Sequence, residues 1–263
     1  LAKAGRIFGE EKYIALAKKA SEFLMKNLFK NNQLYHRYRK GETGIKGLLD
    51  DYTFLIWGLL ELYESTFDYY YLKIALQIQE IQDKKFLDDE PKKGYYLTPE
   101  DGEKLLLREK TIHDGALPSG NSIAIYNLIR LSRITANQNQ EQLAEKIIQS
   151  FSERIKEALS AHTMVFVSLE YLYGTSYEFV FVGSKRDPEL EKLIKKLREE
   201  YLPNKIVLYL PLNSNSREEI FKLTEFVKYK KQINEKATVY VCKNKFCKKP
   251  VNTPNQMLKQ IHN

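Results

Sequence analysis

Long hydrophobic runs are missing from this chain. No apolar stretch approaches the roughly 20 residues that a membrane-spanning helix needs. The nearest, TMVFVSLEYLYG, is short and is broken by Glu170. No segment at the start reads as a signal peptide, so a membrane partner is not expected. The chain does not open on Met, and LAKAGRIFG reads as the tail of a longer helix, so a truncated product is expected.

Cysteine is almost as scarce: among 263 residues there are only Cys242 and Cys247, in C-x4-C spacing. Two thiolates leave the four-ligand shell of a structural zinc incomplete. The spacing also differs from the C-x-x-C of thioredoxin-like redox sites. A framework of disulfides is excluded, which fits a reducing, cytoplasmic compartment. The pair therefore reads as structural or weakly redox-active. Histidine is sparse too: His36 and His162 have no partners at metal-ligand spacing, and His262 lies in a tail. Neither a metal nor a cofactor is expected.

Arginine is thin beside lysine. The formal charge of +8 raises the question of nucleic acid. Yet the densest basic block, KYKKQINEKATVYVCKNKFCKK, contains no arginine, the residue suited to bidentate recognition of bases and phosphates. A solvated basic surface is the better reading, and no nucleic-acid partner is expected. Glycine-rich phosphate loops are lacking as well, since VGSKRDPE carries a single Gly.

What is present is helical periodicity. Segments near 10–29, 50–65, 69–86, 118–134, 140–158 and 160–173 alternate between charged, one-sided helices and helices with few charges, such as DDYTFLIWGLLELYES and PSGNSIAIYNLIRLSRI. A helix apolar nearly all round is buried on most sides, whereas a one-sided helix lies outside. Strict alternation predicts helical hairpins stacked in two layers, with Trp57, Leu60 and Tyr63 as a core stripe. QLYHRYR reads as a short extended segment. GYYLT and KLLLRE flank Asp101-Gly102, which predicts a β-hairpin inserted between two helices. After Gly174, the runs YEFVFVG, KIVLYLP and ATVYVC alternate with helices near 188–200 and 217–228, and NTPNQMLKQIH closes the chain as a short helix. That pattern predicts a small α/β unit with a largely parallel sheet. The expected domains are 1–174 and 175–263.

If the inner helices all run one way, their amino ends open on one rim. LLDDY and HDGALPSGNS both precede or start inner helices. Asp50, Asp51, Tyr52, His113, Asp114, Ser119 and Asn121 should then share that rim, with Tyr95, Tyr96 and Arg108 brought near by the inserted hairpin. Such a mouth suits a ligand rich in hydroxyl groups. Ser119 also reads as a plain helix cap, and Gly115, Pro118 and Gly120 as loop punctuation.

GLLDDYTFLIWGLLELYEST, LQIQEIQDKKFLDDEPKKGYYLT, LLLREKTIHDGALPSGNSIAIYNLIRL and ATVYVCKNKFCKKP together resemble the spermatogenesis-associated, thioredoxin-domain-containing protein family. The resemblance implies a mainly α chain, part of an (α/α)6 toroid of the six-hairpin glycosidase and sugar-epimerase kind. It also implies a carbohydrate-metabolism setting. The family's N-terminal thioredoxin-like domain is a partner outside this sequence, as is the first half of the toroid. Glycoside hydrolysis requires two carboxyl groups flanking a bond, one of them protonated. Asp51 and Asp114 are the candidate pair, with Asp114 the acid, and His113 is the group an epimerase could use. The remaining rim residues would bind the sugar. A non-catalytic scaffold for a redox partner domain is the alternative. An incomplete ring would expose apolar helix edges and favour self-association.

Overall fold

The computed structural model describes residues 1–88 and 93–262. Part of the quoted stretch LQIQEIQDKKFLDDEPKKGYYLT, residues 89–92, lies outside the described residues. The chain is mainly helical with two small β-sheets. It divides into two compact units, residues 1–129 with 138–168, and residues 130–137 with 169–263.

The first unit opens with α1 (Ala2–Phe8) and α2 (Glu11–Asn27). β1 (Phe29–Lys30), β2 (Gln33–Arg39) and β3 (Glu42–Lys46) follow as an antiparallel meander. Only β2 is legible in the periodicity. The two turns that make it a sheet are Asn31-Asn32 and Lys40-Gly41, all four residues with φ between 50° and 88°. Two-residue turns of this hand match the twist of antiparallel strands and favour Asn and Gly.

α3 (Leu49–Thr66) is the central helix of this unit, and α4 (Tyr69–Phe86) returns antiparallel to it. Tyr52 meets Phe86 at one end of the pair (5.1 Å between ring centroids) and Tyr63 meets Tyr69 at the other (5.5 Å). Leu60 and Tyr63 are fully buried, in keeping with a core stripe. α1 docks on α3 through Arg6, whose guanidinium reaches Glu61 (2.8 Å) and Glu64 (3.1 Å). α5 (Gly120–Thr135) is buried along almost its whole length, and its last residues, from Arg130, belong to the second unit. It runs parallel to α3: Gly120 lies against Asp50, the Asn127 amide donates to Thr53 O (2.8 Å), and Trp57 meets Tyr126 (5.8 Å). The expected helix over 140–158 is two, α6 (Gln138–Ser150) and α7 (Ser152–Glu157), separated at the buried Phe151. α8 (Thr163–Tyr173) begins in this unit and ends in the second.

The inserted hairpin does not form. Residues 103–110 carry no regular structure, and Leu106 and Leu107 are exposed. Between the expected arms Leu97 N donates to Glu109 O (2.8 Å), but other backbone groups of the first arm are taken elsewhere. Tyr96 N donates to Phe86 O (2.8 Å), Leu97 O accepts from Leu49 N (3.0 Å), and Asn121 holds both backbone groups of Tyr95. The Asp101 side chain accepts from Lys85 (2.8 Å) and Lys46 (3.0 Å), which fixes the loop to α4 and β3. Those two ammonium groups also hold its carboxyl below the ordinary range. The turn itself forms, with Gly102 N donating to Pro99 O (3.1 Å), but tertiary pairing of its flanks replaces the strand ladder.

The second unit contains β4 (Tyr177–Val182), α9 (Pro188–Arg198), β5 (Lys205–Leu210), α10 (Ser214–Leu223), β6 (Thr238–Lys243), β7 (Phe246–Cys247) and α11 (Pro254–His262). Its strand order is β5-β4-β6-β7. β4 and β5 are parallel as expected, but β6 and β7 are antiparallel, so the sheet is mixed. The β5-to-β6 connection returns to the end of the sheet it left, since Leu210 and Thr238 both pair with Val182. β4, flanked on both sides, is buried throughout. Glu178 on this strand is held by Arg133 (3.4 Å), and burial still pushes its carboxyl up. Cys242 and Cys247 face each other across β6 and β7 and are joined in a disulfide. The argument from cysteine usage to a reducing compartment therefore loses its support.

Candidate functional site

Three helices of the first unit begin close together, and two aspartates bridge their starts. At α3, the Asp51 carboxylate turns back to accept from Leu48 N (2.8 Å), satisfying one of the donors that every helix start leaves open. Two acids in the first turn complement the positive end of the helix dipole. Asp51 also accepts from His36 Nδ1 on β2 (2.9 Å). Asp50 points the other way and accepts the backbone N–H of Gly120 at the start of α5. A Cβ placed on Gly120 would stand 2.4 Å from Asp50 Oδ1 and 2.8 Å from the Leu49 side chain. That close approach is what requires glycine here. Asp50 is exposed as a whole, yet the dense packing around its carboxyl end desolvates it, and ionised Asp51 repels it. Both effects raise its pKa above the ordinary carboxylate value, and the Gly120 hydrogen bond offsets them only in part.

The second bridge is Asp114. One oxygen accepts from Ser119 N at the start of α5 (2.9 Å), and the other from Met164 N at the start of α8 (2.8 Å). Ser119 is an N-cap, its Oγ accepting from Ser122 N (3.1 Å). His162, just before α8, is buried with Nδ1 facing Ile112 O (2.9 Å) and Nε2 facing Arg154 O (3.2 Å). The His113 ring meets it edge-on at 6.1 Å and is itself exposed.

The residues expected at the rim fall into two groups. Asp50, Asp51, His113 and Asp114 remain exposed or half-buried around the helix starts. Tyr52, Tyr95 and Asn121 are fully buried and serve as internal ties. Tyr52 Oη accepts from Leu34 N (3.0 Å). Tyr95 Oη donates to Asp83 (2.5 Å), and burial together with the Asp83 charge raises its pKa well above normal. Asn121 accepts from Tyr95 N and donates to Tyr95 O and Thr111 O, each at 2.8 Å. Arg108 stacks on Tyr96 (4.1 Å) and donates to Thr98 O (2.8 Å). It braces the loop beside α4. Sequence reasoning missed His36 and the start of α8. The Asp51–His36 pair depends on the unforeseen β2–β3 sheet, and Met164 contributes only a backbone N–H, which leaves no trace in residue type.

No family model matches the chain. Spermatogenesis-associated protein 20 of Rattus norvegicus is 29% identical over 272 residues, and that of Homo sapiens is 28% identical over 272 residues, each match covering 99% of this chain. An uncharacterized protein of Caenorhabditis elegans is 31% identical over 259 residues, 95% of this chain. The chain is a homologue of spermatogenesis-associated protein 20. It spans about a third of the length of these relatives, 34% in each case. The matched span of spermatogenesis-associated protein 20 runs over both units. Among the described residues, no helix is long and apolar enough to cross a membrane.

Proposed function

We propose that this chain is part of an (α/α)6 toroid, and that the gathered starts of α3, α5 and α8 form the rim of a saccharide-binding site. The observation that carries this reading is the contact between Asp50 and Gly120. It joins the amino ends of two parallel, buried helices around a carboxyl group of raised pKa. Exposed or half-buried carboxylates and the exposed His113 imidazole around the helix starts offer polar groups that a polyhydroxylated ligand can use.

Any acid–base chemistry here falls to Asp50 more naturally than to Asp114. Asp50 combines solvent access with a raised pKa, whereas both Asp114 oxygens accept backbone N–H groups. Asp51 is then the ionised neighbour, and His113 the exposed imidazole beside it in role. A second reading, a non-catalytic scaffold serving a thioredoxin-like partner domain, is favoured by the commitment of Asp114 and Asn121 to holding the fold. Exposed Leu16 and Phe23 on α2, with Phe166 and Val167 on α8, support self-association as well. Sedimentation showing a strict monomer would remove that part.

Isothermal titration of the wild type and of Asp50→Asn against mono- and oligosaccharides, with product analysis, tests the reading. Binding that weakens in Asp50→Asn while stability is kept supports the saccharide rim. Binding without turnover in either protein selects the scaffold. No heat with any sugar, from a folded protein, ends the saccharide proposal.

A further inference from the structure

The Cys242–Cys247 disulfide belongs to the second unit, and its two cysteines stand in unlike surroundings. Cys242, on β6, is fully buried. Cys247, on β7, is exposed, next to Phe246 at 82% exposure. The Lys230 ammonium is 3.5 Å from Cys247 Sγ. It also lies over the rings of Tyr240 (4.7 Å) and Phe226 (5.2 Å), and this partial burial lowers its pKa.

The disulfide is not what holds this corner together. Lys248 N donates to Val241 O (2.9 Å), and Val239 and Val251 exchange two backbone hydrogen bonds (2.8 and 3.0 Å). Asn244 ties the turn to Ser176 through its own N–H and its side chain, both at 2.9 Å. The bond also closes a very short loop, where loss of unfolded-chain entropy is least. Opening it leaves the hairpin in place, with the two sulfurs still opposite one another.

We propose that this disulfide is a reversible thiol–disulfide exchange site, with Cys247 as the sulfur that external thiols attack and Lys230 as the cation that stabilises its thiolate. An external thiolate bonds to Cys247 Sγ. The Cys242–Cys247 bond breaks, and its electron pair leaves on Cys242, which takes a proton. A second external thiolate then attacks the external sulfur of this mixed disulfide and releases Cys247 as a thiolate beside Lys230. Two external thiols become one disulfide while the protein disulfide gains two electrons. Oxidation retraces the same steps: Cys247 thiolate opens an external disulfide, and Cys242 resolves the adduct. Only an exposed sulfur can be reached, and a nearby ammonium favours the thiolate that reacts.

The test uses reduced and oxidised glutathione with the whole chain, followed by acid quench, alkylation and tryptic mapping. Cleavage after Lys243 and Lys245 separates the two cysteines. Wild-type protein should carry glutathione on Cys247 and regain the internal disulfide when the reductant is removed. In the reduced protein at neutral pH, Lys230→Gln should slow alkylation of Cys247 by about tenfold, the effect of a shift of about one pKa unit, and Lys230→Arg should restore most of the rate. Glutathione on Cys242, a disulfide that reacts only when the protein is unfolded, or equal rates in wild type and Lys230→Gln would overturn the proposal. The mapping on wild type stands even if a variant fails to fold.

Discussion

Replacing Gly120 with alanine strikes the point where two helix starts meet. The added methyl carbon would sit 2.4 Å from Asp50 Oδ1 and 2.8 Å from both Cγ and Cδ2 of Leu49. Leu49 is buried and cannot swing away, so the adjustment falls partly on the backbone. Overpacking of this kind costs about 1–3 kcal/mol. Alanine's better helix propensity recovers up to about 1 kcal/mol. Displacing the Asp50 carboxylate from the Gly120 N–H adds about 1 kcal/mol, discounted because Asp50 is open to solvent. The net expectation is a loss of about 2 kcal/mol, measured by urea denaturation. A second measurement isolates the contact. In an Asp50→Ala background one of the two clashes is gone, so Gly120→Ala should be milder there by at least about 0.5 kcal/mol. Equal costs in both backgrounds would refute the close approach of α3 and α5.

Two further outcomes follow from the same geometry. Asn121→Ala leaves Tyr95 N, Tyr95 O and Thr111 O without their partner in a fully buried place, and should destabilise the protein by about 3 kcal/mol or more; a loss below about 1 kcal/mol would contradict the tie. Asp50 has a raised pKa, so the folded state binds its proton more tightly than the unfolded chain does. Stability contributed by this residue therefore falls as pH rises from the unfolded pKa through the folded one. Asp50→Asn should match wild type at low pH and become the more stable protein above the carboxylate range, as followed by urea denaturation across pH; an advantage confined to low pH would reverse the sign.

Much of the helical layout was legible because burial leaves a mark on composition. The low charge of α3 and α5 announced that they would be enclosed, and LDDY with HDGALPSGNS announced two helix starts. The juxtaposition of Asp50 with Gly120 followed from assuming that buried helices run parallel, which α3 and α5 do. The β1–β3 meander was missed because its turns rest on Asn31-Asn32 and Lys40-Gly41, whose left-handed backbone is not signalled by hydrophobic alternation. The expected hairpin around Asp101-Gly102 failed for the converse reason. A strong local turn signal carries no information about Asn121, Phe86 and Leu49, which claim backbone groups of the first arm from outside the hairpin. At the site, residue type pointed to polar side chains but could not separate those that face solvent, such as Asp50 and His113, from Tyr52, Tyr95 and Asn121, which the fold consumes. Likewise C-x4-C spacing gave no hint that β7 would place Cys247 opposite Cys242.

The most direct measurement of the convergence of helix starts is a pH titration of backbone amide chemical shifts. The Gly120 amide should report the ionisation of Asp50, with a midpoint above the ordinary carboxylate value, and this transition should vanish in Asp50→Asn. The Ser119 and Met164 amides both donate to Asp114, so both should shift in Asp114→Asn. A Gly120 amide indifferent to Asp50, or a Ser119 or Met164 amide indifferent to Asp114→Asn, would contradict the gathering of α3, α5 and α8 around two carboxylates.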